Sequence, residues 1–257
     1  MPQLPSGFDL TGRVALVTGA RREIGRAIAL GLASLGADIA VHHTGPVEAQ
    51  DDAAVVQEAE AFGRRAIAFS GDFVEPGAAA HLADAVTTAF SRVDILVLNA
   101  SIEIPEAFGT ISLVTFDRQI AVNLRATLEL MQALVPPMAE RGWGRGVTIG
   151  SVQQVRPHPG MFVYAGAKAA QHNWAMNLAR QFAQRGVTVN NFAPGAIATA
   201  RNRAQIEVDG AAMVERILVG RLGRPDDLVG AAMLLCSDAG SYINGVDLLV
   251  DGGRAIA

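Results

Sequence analysis

The chain has 257 residues, a formal net charge of −4 and a composition that is 50% hydrophobic, with 27 glycines and one cysteine. That length suits one large α/β domain, residues 1–257, better than two ordinary ones. No basic run exceeds two residues, which argues against nucleic acid, and no apolar run approaches the eighteen or so residues of a membrane span. The opening MPQLPSGFDLTGR lacks the basic-then-apolar order of a signal peptide, and Cys236 sits among apolar neighbours as a small buried hydrophobe would. The expectation is a cytoplasmic protein without disulfides or a membrane partner.

In chain order the strand candidates are residues 13–18, 38–43, 65–70, 94–99, 146–151, 187–193 and 246–251. They read as continuously apolar rather than alternating, as parallel strands covered on both faces do. Helical patterns lie between them at 24–36, 53–63, 78–90, 112–140 and 162–185. Repeated βα alternation with right-handed crossovers predicts a Rossmann-type, doubly wound, predominantly parallel seven-stranded sheet with helices on both faces.

Ligands of such sheets bind beyond the carboxyl ends of the strands. Thr18, Asp72, Asn99, Ser151 and the 193–199 turn each follow a predicted strand, so polar groups spread over 180 positions converge on one edge. The first strand runs into TGARREIG, which opens a helix. There Gly19 permits the tight turn, Gly25 permits close helix–strand packing, and the helix start offers free N–H groups to a pyrophosphate.

Tyr164 and Lys168 lie four apart in YAGAK, on one face of the 162–185 helix, and Ser151 lies thirteen residues before the tyrosine. A phenol titrates near ~10 and is a poor acid or base at neutral pH. A neighbouring ammonium favours the phenolate, and a shift of about three units would correspond to roughly 4 kcal/mol. Such a phenol would suit general acid/base work, with the serine hydroxyl holding a substrate oxygen beside it.

The ordered motifs TGARREIG, LNAS (98–101), Asn123 in AVNLR, Ser151, YAGAK, NFAPGAIAT (191–199) and the closing VDGG (250–253) resemble those of the classical short-chain dehydrogenase/reductases over nearly the whole chain. The resemblance implies an oxidoreductase acting on a small carbonyl or secondary alcohol. Tyr164 would exchange the proton, Lys168 would lower its pKa and hold the nicotinamide ribose, Ser151 would position the substrate oxygen, and Asn123 would anchor a water relay toward Lys168. It implies a cofactor site of Thr18, Gly19, Arg21, Arg22, Ile24, Gly25, His43, Asp72, Phe73, Asn99, Ala100, Ser101, Tyr164, Lys168, Pro194, Gly195, Ile197 and Thr199. It also implies a substrate lid at about 200–222 and a homotetramer or dimer. No metal is called for, since the histidines and acids show no ligand spacing. Gln153, His158 and Phe162, between the serine and the tyrosine, are the substrate-facing candidates.

Two residues depart from the family pattern: Glu23 replaces the middle glycine of the first turn, and Ser101 replaces the glycine of Asn-Ala-Gly. Glu23 is expected in the first helical turn, favoured there by the helix dipole and paired with Arg21, Arg22 or Arg26. After the second strand stands His42-His43-Thr44 with no carboxylate before Glu48, and Arg22 lies beside the turn. An acid there would hold the adenine ribose and repel a 2′-phosphate, whereas an arginine suits phosphate. NADP(H) is therefore favoured and NAD(H) stays possible. The leading expectation is a carbonyl reductase, a 3-oxoacyl-carrier-protein reductase-like activity being one instance. The alternatives are an NAD-linked sugar or polyol dehydrogenase and a catalytically silent nucleotide-binding scaffold.

Overall fold

The computed structural model describes residues 7–45 and 49–257, with side chains for 7–45 and 54–257. The strands are β1 Val14–Val17, β2 Asp38–His43, β3 Ala66–Ser70, β4 Ile95–Leu98, β5 Gly144–Ile149, β6 Val187–Pro194 and β7 Asp247–Val250. The helices are α1 Glu23–Ser34, α2 Ala49–Ala61, α3 Ala78–Phe90, α4 Leu113–Ile120, α5 Ala126–Glu140, α6 Phe162–Phe182, α7 Arg203–Glu215 and α8 Val229–Leu235. All seven strands pair in parallel in the order β3-β2-β1-β4-β5-β6-β7. The order reverses between β1 and β4, which opens a crevice at their carboxyl ends.

Strand side chains alternate between two cores, as the two-residue repeat of a pleated strand requires. Ala15 and Val17 pack with Ile28 and Leu32 of α1 and Leu235 of α8. Val14 and Leu16 point the other way, toward Phe90 of α3 and Leu130 and Met138 of α5. Both faces being covered, the strands could spend almost every position on apolar residues. That is why their runs lacked alternation.

Two of the boundaries that differ from expectation have local reasons. β5 begins two residues early, because Gly144 and Arg145 pair with Val187 and Thr188. Buried Arg145 is tied by its guanidinium to Asp238 at 2.6 Å and to the Ser237 carbonyl at 3.1 Å, so a charge sits where an apolar pattern does not announce a strand. The expected 112–140 helix is broken into α4 and α5 by a π turn at Ala121–Arg125. Cys236 is fully buried and burial pushes its thiol up to about 12, which leaves it unreactive. Among the described residues no helix is long and apolar enough to cross a membrane. Glu48 and the start of the chain, on which two expectations bore, lie outside the described residues.

Candidate active site

The crevice floor is built by hydrogen bonds between the ends of β1 and β4. The buried Thr18 hydroxyl accepts the N–H groups of Asn99 and Ala100, both at 2.9 Å, and donates to the Val97 carbonyl at 3.3 Å. The Asn99 amide donates back to the carbonyls of Thr18 and Gly19 at 2.9 and 3.1 Å. Gly19 has φ +64°, and a Cβ on Gly25 would lie 2.6 Å from the Asn99 amide nitrogen. Neither position tolerates a side chain without moving the turn. The result is a backbone cradle at the start of α1, a fit for the diphosphate of a dinucleotide.

His42, which sequence reasoning passed over, locks this cradle from behind. Its Nδ1 accepts the Gly19 N–H at 3.2 Å, so its Nε2 carries the proton and donates to the Gly71 carbonyl at 2.9 Å. Burial holds the imidazole neutral, its pKa pulled down to about 4. Its ring stacks on Phe73 with centroids 4.3 Å apart. A histidine inside an otherwise apolar, doubly covered strand was the available signal, since a buried imidazole must find partners. His43 is also buried at the end of β2. Asp72, after β3, has its Oδ1 accepting the Val74 N–H at 3.0 Å, ahead of α3, which starts after Gly77. Arg22 stands exposed and extended just before α1, with the half-buried Arg21 and Ile24 on either side of it and Glu23.

Glu23 begins α1 as expected, but in the left-handed region at φ +54°, the conformation a glycine would supply. Its Oε1 accepts the Ala200 N–H at 2.9 Å, and Arg26 pairs with Glu58 rather than with it. Ser101 likewise turns toward the 200s: its Oγ and carbonyl accept the Arg201 guanidinium at 3.2 and 2.8 Å.

The acid/base candidates lie after β5, along α6 and in the π turn between α4 and α5. Tyr164 and Lys168 are both buried, 7% and 1% exposed. The Lys168 ammonium lies 5.6 Å from the centre of the Tyr164 ring and donates to the Ile149 carbonyl at 2.7 Å and to Gln171 Oε1 at 3.0 Å. The expected lowering of the phenol by Lys168 is not found. Burial pushes Tyr164 up to about 12, Glu103 raises it further, and Arg201 and the Ser151 hydroxyl draw it back. Lys168 is itself brought down to about 7 by burial, and Arg201 adds to that. The physical reason is desolvation: two polar groups one helical turn apart were read as if in water, and neither is.

Asn123 is fully buried within the π turn, its amide accepting the Ile102 N–H at 3.1 Å and donating to the Ile102 carbonyl at 2.9 Å. The π turn presents the Asn123 carbonyl to a side chain, and Gln171 Nε2 donates to it at 2.6 Å. The same amide group donates to Thr127 Oγ1 at 2.9 Å. A direct protein path, Asn123 to Gln171 to Lys168, therefore joins the π turn to the lysine. Gln171 was missed because it reads as one more polar residue on a long helix. Its position three after Lys168, one turn along the same face, was the signal.

Ser151 leaves β5 and its hydroxyl accepts the Gln153 N–H at 3.2 Å. Of the substrate candidates, Gln153 accepts the His158 N–H at 2.8 Å and His158 Nδ1 accepts the Gly160 N–H at 3.2 Å, so both shape the 151–162 loop. Phe162 is 60% exposed and meets Phe108 edge-on at 5.1 Å. Pro194 ends β6, Gly195 is pressed against Asp251, and Ile197 is buried beside Gly223. Thr199 shares the Asn202 side chain, its N–H donating to Oδ1 at 3.0 Å. Thr18, Asn99 and Ser151 follow β1, β4 and β5, Tyr164 and Lys168 lie on α6, and Asn123 lies in the π turn. Among the described residues, no three His, Cys, Asp or Glu side chains gather as metal ligands.

A backbone cradle at the β1/β4 crevice and a buried Tyr-Lys pair on α6 are features that fit a nicotinamide-dependent oxidoreductase. The family profile described as enoyl-(acyl carrier protein) reductase matches residues 19–255. The chain is 39% identical to a 2-dehydro-3-deoxy-D-gluconate 5-dehydrogenase of Pseudoalteromonas atlantica, over 96% of this chain and 97% of the relative. It is 35% identical to an L-rhamnose 1-dehydrogenase (NAD(P)(+)) of a Sphingomonas species, over 96% and 98%. The crystal structure of a 3-oxoacyl (acyl-carrier-protein) reductase from Agrobacterium tumefaciens with NADP bound superposes with a TM-score of 0.91 at 40% identity, covering 98% of this chain and 97% of that one. The chain belongs to the classical short-chain dehydrogenase/reductase family.

Proposed function

We propose that the protein transfers a hydride between NADP(H) and a small carbonyl or secondary alcohol, with Tyr164 as the general acid/base. The observation that carries this reading is the burial of Tyr164 and Lys168 on α6, beside Ser151 and on the same sheet edge as the Gly19–Gly25 cradle. Thr18, Gly19, Asn99 and the first turn of α1 would hold the dinucleotide, with Asp72 and His43 toward the adenosine end. When bound, the nicotinamide supplies the hydride. The exposed Arg22 after β1, with no acid among residues 42–45 at the end of β2, supports the 2′-phosphate over a bare ribose.

With its pKa at about 12, Tyr164 is protonated at neutral pH and is suited to give its proton to a carbonyl oxygen that Ser151 orients. Lys168 faces the phenol from one turn along α6, and Gln171 ties it to the Asn123 π turn. Near pH 7 the protonated phenol is the form that ketone reduction needs. Residues 200–222 serve as the lid, and the half-exposed Leu128 and its groove with Met131, Trp174, Leu178 and Phe182, about 350 Å³, serve as the contact between copies in a homo-oligomer. A second reading, a sugar or sugar-acid dehydrogenase, draws support from the gluconate and rhamnose dehydrogenases among the relatives.

The test is nicotinamide oxidation with NADPH and NADH in parallel against acetoacetyl esters, α-diketones, aryl ketones and keto-sugars, with Tyr164→Phe as the blank. NADPH turnover that vanishes in the blank supports the reductase reading, and the ranking of ketones separates acyl from sugar substrates. Equal rates in protein and blank would refute the role of Tyr164.

A further inference from the structure

The two departures from glycine in the turn motifs reach consecutive residues of one distant segment. Glu23, at the start of α1, accepts the Ala200 N–H at 2.9 Å. Ser101, across the crevice after β4, accepts both terminal nitrogens of Arg201, at 3.2 Å on Oγ and 2.8 Å on its carbonyl. Glycine at position 23 would have no carboxylate to offer, and glycine at 101 no hydroxyl. Glu23 keeps this contact despite φ +54°, a backbone that L side chains rarely adopt.

The segment they hold is stiff at its root and loose beyond it. Ile197 is buried in the core and the Ala198 N–H donates to the Gly223 carbonyl at 2.8 Å, while Asn202 donates to the Ile197 carbonyl at 2.9 Å and accepts the Thr199 N–H at 3.0 Å, so the root of the segment is fixed. α7, which follows at once, has no buried residue to hold it against the sheet. The contacts to Glu23 and Ser101 therefore tie the Ala200–Arg201 turn, beyond that fixed root, to the two walls of the crevice.

We propose that Glu23 and Ser101 are positioning residues that fasten the Ala200–Arg201 turn across the mouth of the crevice, slowing the exchange of dinucleotide and seating the Arg201 guanidinium near the acid/base pair. Arg201 acts electrostatically on both Tyr164 and Lys168, so the fastening joins the cofactor turn to the reacting end of the site. The negative charge beside the cradle is the cost of this arrangement, and its hydrogen bond to Ala200 is the compensation. The inference rests on the dinucleotide reading above for its ligand but not for its contacts.

Two measurements on the full chain separate the two. Without cofactor, the amide exchange of Ala200, read by NMR, should quicken at least tenfold in Glu23→Ala and also in Arg201→Ala. Unchanged exchange at Ala200 in Glu23→Ala overturns the fastening. With NADPH as the probe, its release in a stopped-flow chase should quicken roughly fivefold in either single variant, the scale of one exposed charge-assisted hydrogen bond. Glu23→Gln, which keeps an acceptor at the same reach, should restore most of the slow release. Because opening either half frees the turn, the double variant should fall short of the product of the two singles. Unchanged release in both singles, or a fully multiplicative double, overturns the proposal. Arg201 is exposed, so its variant reports even if Glu23→Ala fails to fold. Failure of the parent to bind NADPH or NADH would sink the dinucleotide reading and the role in exchange, while the Ala200 amide still decides whether the fastening exists.

Discussion

Gln171→Leu tests the buried path behind the acid/base pair. Gln171 supplies one of two acceptors to the Lys168 ammonium, at 3.0 Å, the other being the Ile149 carbonyl at 2.7 Å. A hydrogen bond to a charged group contributes about 1.5–3 kcal/mol, and at ~1.36 kcal/mol per unit its loss lowers a pKa by about one to two units. Lys168, at about 7 in the parent, would then titrate near ~5–6 in the variant. The unfolded lysine titrates near ~10.4 in both proteins, so in each the folded state binds fewer protons between the two pKa values and stability falls as pH falls through that interval. The variant's interval reaches further down. Its extra destabilisation should be largest below about pH 5 and shrink by roughly 1.5–3 kcal/mol as pH rises to about 9, where both folded lysines have lost their charge, most of the change falling between pH 5 and 7. A constant part remains from the Asn123 carbonyl and Thr127 hydroxyl left without the amide. Urea unfolding of parent and variant at half-unit pH steps gives the difference directly, with every other titrating group cancelling. A difference that stays flat from pH 5 to 7 would refute the claim that Gln171 acts on the charge of Lys168.

Tyr164→Phe should reduce turnover by at least about a thousandfold while dinucleotide affinity changes less than about threefold, measured by fluorescence titration beside steady-state rates. Arg22→Ala should weaken NADPH by about tenfold and NADH hardly at all; an equal effect on both sends the 2′-phosphate elsewhere. Because Tyr164 titrates at about 12, alcohol oxidation should climb by up to about tenfold per unit between pH 7 and 10 while ketone reduction stays level; a level oxidation profile would argue against the buried phenol as base. His42, at about 4 when folded against ~6.5 when unfolded, makes stability fall by up to roughly 3 kcal/mol as pH drops from 6.5 to 4. His42→Asn should be less stable at pH 7 but lose less over that interval, which urea midpoints at the two pH values will show.

The sheet was legible in the residues because parallel strands covered on both faces must be apolar throughout, and helices must carry the return. Seven runs therefore announced seven strands, within a residue or two. Where a boundary failed, a buried charge was the cause: Arg145 sits inside β5 because Asp238 and Ser237, more than ninety residues away, accept its guanidinium. The site's principal residues were legible for a related reason. Gly19 and Gly25 are demanded by backbone approach, and Tyr164 and Lys168 by a helical turn.

The remainder belonged to tertiary structure. Spacing alone determined that Lys168 would lie beside Tyr164, but the depth of burial decided that the phenol is raised rather than lowered. It determined that Glu23 would begin α1, but only the return of the chain after β6 decided that its carboxylate meets Ala200 rather than a neighbouring arginine. Gln171 carries a local mark of Lys168 but none of Asn123, 48 positions away, and His42 carries none of Gly19, 23 positions away. A sequence states which groups must be buried or turned. Which distant group satisfies each buried donor and acceptor is settled when the chain closes on itself and water is excluded.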